Sequence, residues 1–441
     1  MSATAPAPAP VTGLILTGGG ARAAYQVGVL DALQRIRAGT DAPAGNPFPI
    51  IAGTSAGAIN AAALAGRADD VEAAIAALVA VWRDFRAEQV YRTDAIGVVR
   101  SGARWLTMMS IGWLIARWRR LKPRSLLDNS PLSGLLAQLT ALERVPQLIR
   151  DGHLQALAVS ASSYSSGQHL TFYDAAEATP PWVRSQRRAV RTRLGISHLL
   201  ASSAIPFVFP ATRLAIDDAG EEWCGDGSMR QVAPISPAVH LGAERILVIG
   251  AGRMHEPAGR AAHAPDADYP NVAQIAGHAL SNIFLDALAV DVERLQRINA
   301  TLALLPPAAL SHTPLRPIAH LVIAPSQRLD DIAARHLDDL PTPIRALLRG
   351  MGVSGEARDA RGAALASYLL FEAGYTRELM ALGVADTLAR REEVMAFFGW
   401  RPLPVSLPQA QAQSGGWACR PTPPGPHRPS NAASAASSAA A

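Results

Sequence analysis

The sequence is poor in several residue types that would point to a function. It holds only two cysteines in 441 residues, Cys224 and Cys419, which give neither a disulfide framework nor the spacing of a zinc site. Aromatic residues make up 5% of the chain, and Lys122 is the only lysine, so the formal net charge of +5 rests almost wholly on arginine. No recognisable nucleic-acid motif accompanies this charge. The composition therefore disfavours a disulfide-stabilised protein, and we expect no nucleic-acid partner.

Long apolar runs are also missing. The nearest, "WLTMMSIGWLIA" at residues 105–116, falls short of the run of about 18 that a membrane span needs. The start, "MSATAPAPAP" at residues 1–10, lacks the basic and apolar regions of a signal peptide, and we expect a disordered leader there. These absences predict a cytoplasmic protein, either free or peripheral at the inner membrane surface.

One segment, residues 103–124, combines tryptophan and arginine as interfacial helices do. Trp105, Trp113 and Trp118 lie among arginines, a composition suited to a lipid surface. At about 100° per residue, however, the three tryptophans do not share one narrow helical face. A peripheral membrane contact and a core helix with a solvated basic end therefore both remain open.

Apolar strands alternate with helical segments through most of the chain. The strand-like stretches are "GLILT", "FPIIAGTS", "LQALAVSASSYS", "QHLTFYD", "RILVIGAGR" and "HLVIAPS", with a long amphipathic helix over 271–305 before the last. This alternation predicts an α/β fold with a mostly parallel central sheet. Residues 326–400 predict a helical extension without strands. Residues 401–441 are rich in Pro, Ala and Ser, and we expect a disordered tail there.

The stretch "GTSAGAIN", residues 53–60, fits G-x-S-x-G at Gly53, Ser55 and Gly57. In this pattern the small neighbours allow a tight strand-to-helix turn that holds the serine hydroxyl clear of the sheet. The pattern makes Ser55 a candidate nucleophile. A Gly/Ser-rich turn without chemistry is the alternative.

A second glycine-rich stretch, "TGGGARAA" at residues 17–24, precedes it. Consecutive glycines at a helix start leave backbone N–H groups free to converge on an anion. A dinucleotide-binding loop wants an acidic residue at the end of the next strand, and a Walker loop wants G-K-[ST]; neither is present. An oxyanion hole needs a nucleophile nearby, and the next strand ends at Ser55.

A serine nucleophile also needs a base. The downstream histidines lie in no turn typical of catalysis, and His198 falls inside a helical stretch. A better candidate is Asp226, between Gly225 and Gly227 in "WCGDGSMRQVAP", predicted as a tight turn before a strand. An ordinary Asp-Gly turn is the alternative.

Together, "GGGARA", "GTSAG" and "DGS", in this order, resemble the three motifs of the patatin-like phospholipase family. The block "ASSAIPFVFP", residues 201–210, is similar to the one that precedes the family's aspartate. The resemblance covers residues 11–325. It implies a three-layer patatin-like sandwich with a mostly parallel central sheet, followed by the C-terminal helical extension.

The resemblance also assigns the site. It implies that Ser55 is the nucleophile and Asp226 its base, in a dyad without histidine. Gly18, Gly19 and Gly20 match the oxyanion loop, and Arg22 matches its basic residue. The chain departs from the family at Ala23, often glycine, and at Ser228, which replaces a smaller residue.

The implied function is a serine acyl hydrolase of the phospholipase or lysophospholipase type, which cleaves lipid esters through an acyl-enzyme. It needs no cofactor and no metal. The alternatives are a catalytically weak, membrane-associated lipid-binding protein and a nucleotide-binding protein. Retained Ser55 and Asp226 argue against the first, and the missing acid and lysine argue against the second.

Overall fold

The computed structural model describes residues 10–94, 125–216, 220–254, 272–283, 287–351, 353 and 360–403. The segment 103–124 lies outside these residues, as do the predicted leader and tail except at residues 10 and 401–403. Residues Met1–Pro402 form one compact unit, and the remainder, Leu403–Ala441, is described only at Leu403. The domain bounds expected from the sequence stay predictions.

A mixed sheet forms the centre of the fold. Its strands are β1 (Thr12–Leu16), β2 (Ile50–Thr54), β3 (Ala156–Ser163), β4 (His169–Ala175), β5 (Val183–Arg184), β6 (Arg187–Arg191), β7 (Thr212–Ala215), β8 (Glu221–Asp226), β9 (Arg245–Ile249) and β10 (Ala319–Ile323). They are ordered β10-β9-β1-β2-β3-β4-β6-β5, with β8 also on β3 and β7 on β8. Strands β10 to β3 run parallel, whereas β4 and β8 are antiparallel to β3. The predicted mostly parallel sheet is confirmed.

Helices cover both faces of this sheet. They are α1 (Ala24–Ala38), α2 (Ala56–Ala65), α3 (Val71–Arg83), α4 (Ser130–Leu139), α5 (Val145–Arg150), α6 (Ile196–Ser202), α7 (Ser236–His240), α8 (Val272–Ser281), α9 (Ala287–Ala303), α10 (Pro307–Leu310), α11 (Leu329–Arg335), α12 (Thr342–Gly350), α13 (Ala360–Leu369), α14 (Ala373–Ala389) and α15 (Arg391–Phe398). Where the sequence predicts one long helix over 271–305, the structure describes α8 and α9.

The alternation of side chains along β1 shows how the layers are held. Leu14 and Leu16 belong to the larger apolar core, which includes buried residues of α1, α2, α3 and α14. Ile15 points to the other face and belongs to a smaller core with α7 and α9. Successive strand residues face opposite sides of a sheet, so these strands are buried on both faces. The predicted three-layer sandwich is confirmed.

The C-terminal helices are confirmed, and one of them packs closely against the first helix of the chain. A Cβ atom added to Gly28 of α1 would lie 2.0 Å from the Met380 carbonyl oxygen of α14. A Cβ atom at Gly383 of α14 would lie 2.3 Å from the Tyr25 carbonyl oxygen. The two backbones therefore touch at places that admit only glycine, and α14 is part of the main core. Within the described residues, no helix is long and apolar enough to cross a membrane.

Candidate active site

The sheet register brings the two glycine-containing motifs to one edge. Leu16, the last residue of β1, pairs with Gly53 of β2, so the segments that follow both strands leave the sheet side by side. Binding sites in α/β folds form just outside the carboxyl ends of the strands, where such segments leave the sheet. The glycine-rich loop and Ser55 therefore share one end of the sheet.

Ser55 occupies a sharp turn between β2 and α2. Its backbone has φ 56° and ψ −131°, a left-handed conformation that costs on the order of 1–3 kcal/mol in a residue other than glycine. The flanking glycines are required by space, since a Cβ at Gly53 would lie 2.5 Å from the Ala58 Cα and one at Gly57 would lie 2.3 Å from the Leu16 carbonyl oxygen. The G-x-S-x-G pattern thus follows from close packing of this turn against β1.

The glycine-rich loop begins where β1 ends. Gly20 has φ 55° and opens a short 3-10 helix, Gly20–Ala23, that continues into α1. Among the described residues, the backbone N–H groups of Gly18, Gly19 and Gly20 form no hydrogen bond. These unpaired donors at a helix start form a suitable environment for a developing negative charge.

Asp226 is brought to the same place by β3. Ala161 of β3 pairs with Asp226 of β8, and the preceding residue, Ser160, pairs with Thr54 of β2. Only one strand therefore separates Asp226 from the turn that carries Ser55. The sequence placed Asp226 in a turn before a strand, but the structure places it at the end of a strand. The two glutamates and the glycine in "EEWCGD" obscure the strand pattern.

The Asp226 carboxylate is wholly buried. Burial raises its pKa to about 6, although the Ser55 hydroxyl and the Ser228 backbone and hydroxyl each lower it. Oδ1 accepts a hydrogen bond of 2.9 Å from the Ser228 N–H. Oδ2 has no hydrogen-bond partner of standard geometry among the described residues, although the Ser55 hydroxyl lies near enough to the carboxylate to lower its pKa. Catalytic hydrogen bonds are often loose before substrate binds.

Ser202 of α6 connects the turn at Ser55 to β3 by hydrogen bonds, a role that the sequence alone does not indicate. Its hydroxyl accepts a 2.9 Å hydrogen bond from the Ser55 N–H and donates a 2.6 Å hydrogen bond to the Ser160 carbonyl. Both bonds are buried, where a lost partner is costly. Ser202 belongs to "ASSAIPFVFP", so the resemblance of that block was the available signal.

A buried network of hydrogen bonds connects α3, α2 and α1 to the start of the glycine-rich loop. The indole N–H of Trp82 donates to Asn60 Oδ1, and the Asn60 amide donates to Gln26 Oε1. The Gln26 amide in turn donates a 2.8 Å hydrogen bond to the Thr17 carbonyl. Since Thr17 precedes the glycine loop and Asn60 lies in α2, the network fixes the loop relative to the helix that follows Ser55.

An apolar pocket opens beside Ser55. Its empty volume, including space open to solvent, is about 480 Å³. It is lined by Gly20, Ser55, Ala56, Ile59, Trp82, Phe85, Val90, Leu132, Leu135, Leu139, Ser203, Ile205, Phe209 and Phe371. Ser55 is almost fully buried, so its hydroxyl is accessible from this pocket rather than from the open surface. Such a lining suits a hydrocarbon chain.

His198 and His169, two of the histidines downstream of Ser55, lie in structural environments. His198 Nδ1 accepts a 3.1 Å hydrogen bond from the Gly195 N–H, and its ring packs edge-on against Phe172. His169 is buried, and desolvation lowers its pKa to about 4, so its imidazole is neutral at pH 7. No group of three or more His, Cys, Asp or Glu in the described part of the chain could hold a metal ion.

Arg22 sends its side chain to the C-terminal helices. The guanidinium forms an ion pair with Asp330, and it donates hydrogen bonds to Ser367 Oγ at 2.8 Å and to the Ala364 carbonyl at 3.4 Å. It also lies 4.0 Å from the centre of the Tyr368 ring. Arg22 thus belongs to the loop through its backbone, while its charge is held by distant residues.

The chain is similar to a known protein family over just over half of its length. A family model for the patatin-like phospholipase matches residues 14–239, just over half of the chain. The chain belongs to the patatin-like phospholipase family. This membership supports a general activity of lipid hydrolysis and a lipid substrate. The matched residues contain Gly18 to Gly20, Ser55 and Asp226, but end before β9 and every helix from α8 onward.

More distant similarities extend beyond the family region. The patatin-like chain is 13% identical to VipD from Legionella pneumophila, over 85% of this chain and 67% of that one, with a TM-score of 0.28. It is 14% identical to the type III effector protein ExoU of Pseudomonas aeruginosa, over 82% and 78%, with a TM-score of 0.24. No curated protein sequence matches the chain.

Proposed function

We propose that this patatin-like chain is a serine acyl hydrolase that cleaves carboxylic esters of lipids, of the phospholipase or lysophospholipase type. The observation that carries the proposal is the position of Ser55, in a strained turn beside the buried carboxylate of Asp226 and on the wall of an apolar pocket. Residues other than glycine that keep a strained backbone conformation cluster at functional sites.

The proposed reaction is acyl transfer through the Ser55 hydroxyl. Asp226 accepts the hydroxyl proton as Oγ attacks the ester carbonyl, and the unpaired N–H groups of the glycine loop bind the resulting oxyanion. Collapse of the tetrahedral intermediate expels the alcohol, which takes the proton from Asp226. Water then attacks the acyl-enzyme as Asp226 accepts its proton. The bond from the acyl carbon to Ser55 Oγ breaks, Oγ takes that proton back from Asp226, and the fatty acid leaves.

The pocket supports the proposed substrate class. Its lining is almost entirely apolar, and the Ser55 hydroxyl lies at its wall, so an acyl chain in the pocket places its carbonyl near the nucleophile. We further propose that the enzyme acts in the cytoplasm and approaches lipid at the inner membrane surface, with residues 103–124 as a candidate contact.

One comparison tests the proposal as a whole. The purified protein is assayed on a short-chain acyl ester and on phospholipid vesicles, with release of fatty acid as the measurement. Hydrolysis of both is expected. Vesicle binding without release of fatty acid from either substrate would instead favour the catalytically weak lipid-binding protein.

The pH dependence of the reaction is the first specific prediction. Asp226 must be ionised to accept a proton, and burial raises its pKa to about 6. The value of kcat/KM should therefore rise about tenfold per pH unit below pH 6 and level off above it. A profile that is flat from pH 5 to pH 8 would contradict Asp226 as the base.

The second specific prediction concerns the preference of the enzyme for the length of the acyl chain. Leu135→Trp fills part of the pocket beside Leu132 and Leu139. Excluding two methylenes costs about 1.6 kcal/mol at about 0.8 kcal/mol each, so kcat/KM for long-chain esters should fall about tenfold relative to short-chain esters. The ratio of the two rates is the measurement.

The matched control is Leu388→Trp, which adds the same side chain at an exposed leucine outside the pocket lining. It should leave the ratio unchanged. If Leu135→Trp slows long-chain and short-chain esters equally, the acyl chain does not occupy this pocket.

A further inference from the structure

The glycine loop depends on residues far along the chain, beyond the family region. Arg22 is the first residue with a large side chain after three consecutive glycines, and its side chain is only 3% exposed. Its guanidinium pairs with the carboxylate of Asp330 in α11 and donates to Ser367 Oγ in α13. Both partners lie outside the matched residues 14–239.

The backbone of the loop meets the same helix. A Cβ atom at Gly20 would lie 2.3 Å from the Tyr368 carbonyl oxygen, so the loop is pressed against α13 without room for a side chain. The Tyr368 ring also lies 4.0 Å from the Arg22 guanidinium, within range of a cation–π contact. Ser367 and Tyr368, which are adjacent in α13, therefore contact the Arg22 side chain and the loop backbone at Gly20.

The polar groups that hold Arg22 are themselves paired. Ser367 Oγ accepts from Arg22 Nε and donates a 2.6 Å hydrogen bond to the Ala364 carbonyl. Asp330, whose side chain is 16% exposed, balances the buried charge of Arg22. Removing one partner of such a pair leaves a buried charge or polar group unsatisfied, which is costly. These contacts therefore resist displacement of Arg22.

Glycine offers the loop little stiffness of its own, because it lacks a Cβ and reaches a wide range of backbone angles. An oxyanion hole nevertheless needs its donors within a few tenths of an ångström of the developing charge. The rigidity must come from what the loop is bound to. In this chain part of that support comes from Arg22, whose guanidinium is held by Asp330 and Ser367.

We infer that Asp330 and Ser367 are positioning residues for the reaction, which act by anchoring Arg22 and thereby fix the oxyanion-binding N–H groups of Gly18 to Gly20. The inference rests on the proposed acyl transfer. It assigns a role to α11 and α13, the first and third helices after β10. Neither residue touches the reacting atoms.

The experiment compares Ser367→Ala and Asp330→Asn with wild type, well below the melting temperature of each variant. The readouts are kcat and KM on a short-chain ester, and the inhibition constant of a trifluoromethyl ketone, which forms a tetrahedral oxyanion on the serine. Since a misplacement of about 1 Å can cost a factor of about 100, we expect kcat to fall about 10- to 100-fold. KM should change by less than about threefold, and inhibitor affinity should fall in parallel with kcat.

Asp386→Asn is the matched control. Asp386 also joins the C-terminal helices to α1, by accepting a 3.0 Å hydrogen bond from the Tyr25 hydroxyl, but it makes no contact with the glycine loop. The control should lower the melting temperature and leave kcat and inhibitor affinity unchanged. Ser367→Thr keeps the hydroxyl and should restore most of the activity lost in Ser367→Ala.

Two failures are distinguishable. If wild type hydrolyses no ester, the proposed function is wrong and the inference falls with it. If wild type is active but Ser367→Ala and Asp330→Asn keep both kcat and inhibitor affinity, only the inference is overturned. Should Asp330→Asn fail to fold, Ser367→Ala decides the matter by itself, because it removes a single uncharged group.

Discussion

Replacing Ser55 with alanine should lower kcat/KM for ester hydrolysis by about 10⁴-fold or more, since no acyl-enzyme can form without the Oγ atom. The fold should survive, because the Ser55 N–H, rather than its hydroxyl, makes the hydrogen bond to Ser202. The free energy of unfolding, measured with urea, should therefore change by less than about 1 kcal/mol. Fatty acid release and urea unfolding are the two measurements.

Ser133→Ala is the control for this substitution. Ser133 lies on the exposed face of α4, where its hydroxyl donates a hydrogen bond to the Ser130 carbonyl, and it is not part of the pocket lining. It should leave hydrolysis unchanged. Full activity in Ser55→Ala would place the nucleophile elsewhere and remove the basis for the whole site.

Replacing Asp226 with asparagine should lower kcat/KM by about 10³- to 10⁴-fold, because the amide cannot accept the Ser55 proton. The same substitution should stabilise the fold. The buried carboxylate has its pKa raised from 3.8 to about 6, so ionising it in the folded state costs about 3 kcal/mol, a cost that asparagine avoids. Activity should fall while stability rises, and this combination distinguishes loss of the base from a general destabilisation of the fold.

The pH range of the stability effect follows from the sign of the shift. Below the unfolded pKa near 4 both states carry the protonated acid, and the ionisation cost is absent. It grows as pH rises to about 6 and is constant above that. Asp226→Asn should therefore gain stability over wild type between pH 4 and pH 6, and keep that gain at pH 8, by urea unfolding at each pH.

Asp291→Asn provides the comparison for this experiment. Asp291 is buried on α9, accepts a 3.0 Å hydrogen bond from the Ile235 N–H, and has its pKa raised by burial. Its substitution should alter the pH dependence of stability without affecting hydrolysis. If Asp226→Asn retains activity or becomes less stable at every pH, Asp226 is not a buried base.

The local parts of the site could be predicted from the sequence because their requirements are local. The turn at Ser55 needs glycine at positions 53 and 57, where a side chain would collide with atoms four or five residues away or with the end of the neighbouring strand β1. Family membership and fold class are confirmed by the family match and the sheet. Ser55, Asp226 and the oxyanion assignment remain predictions that await the substitutions above.

The distant supports could not be predicted from the sequence. Asp330 lies 308 residues after Arg22, in a stretch, "RLDDIAAR", that looks like an ordinary amphipathic helix with an acidic first turn. Nothing in its composition indicates a partner. Phe371, on the pocket wall, follows a helix that the sequence shows only as Ala-rich. Such contacts are set by packing of whole helices and leave no periodic signal.

The packing of α14 against α1 has a consequence for how the protein is made. Tyr25 and Asp386 bond to each other although 361 residues separate them. At 5–20 residues per second, a ribosome needs on the order of 20 to 70 seconds to make that intervening chain. Through that interval the backbone of α1 around Gly28 stays without its final partner. Helix α1 is thus made long before the helix that completes its packing, and chaperones have a long opportunity to bind it.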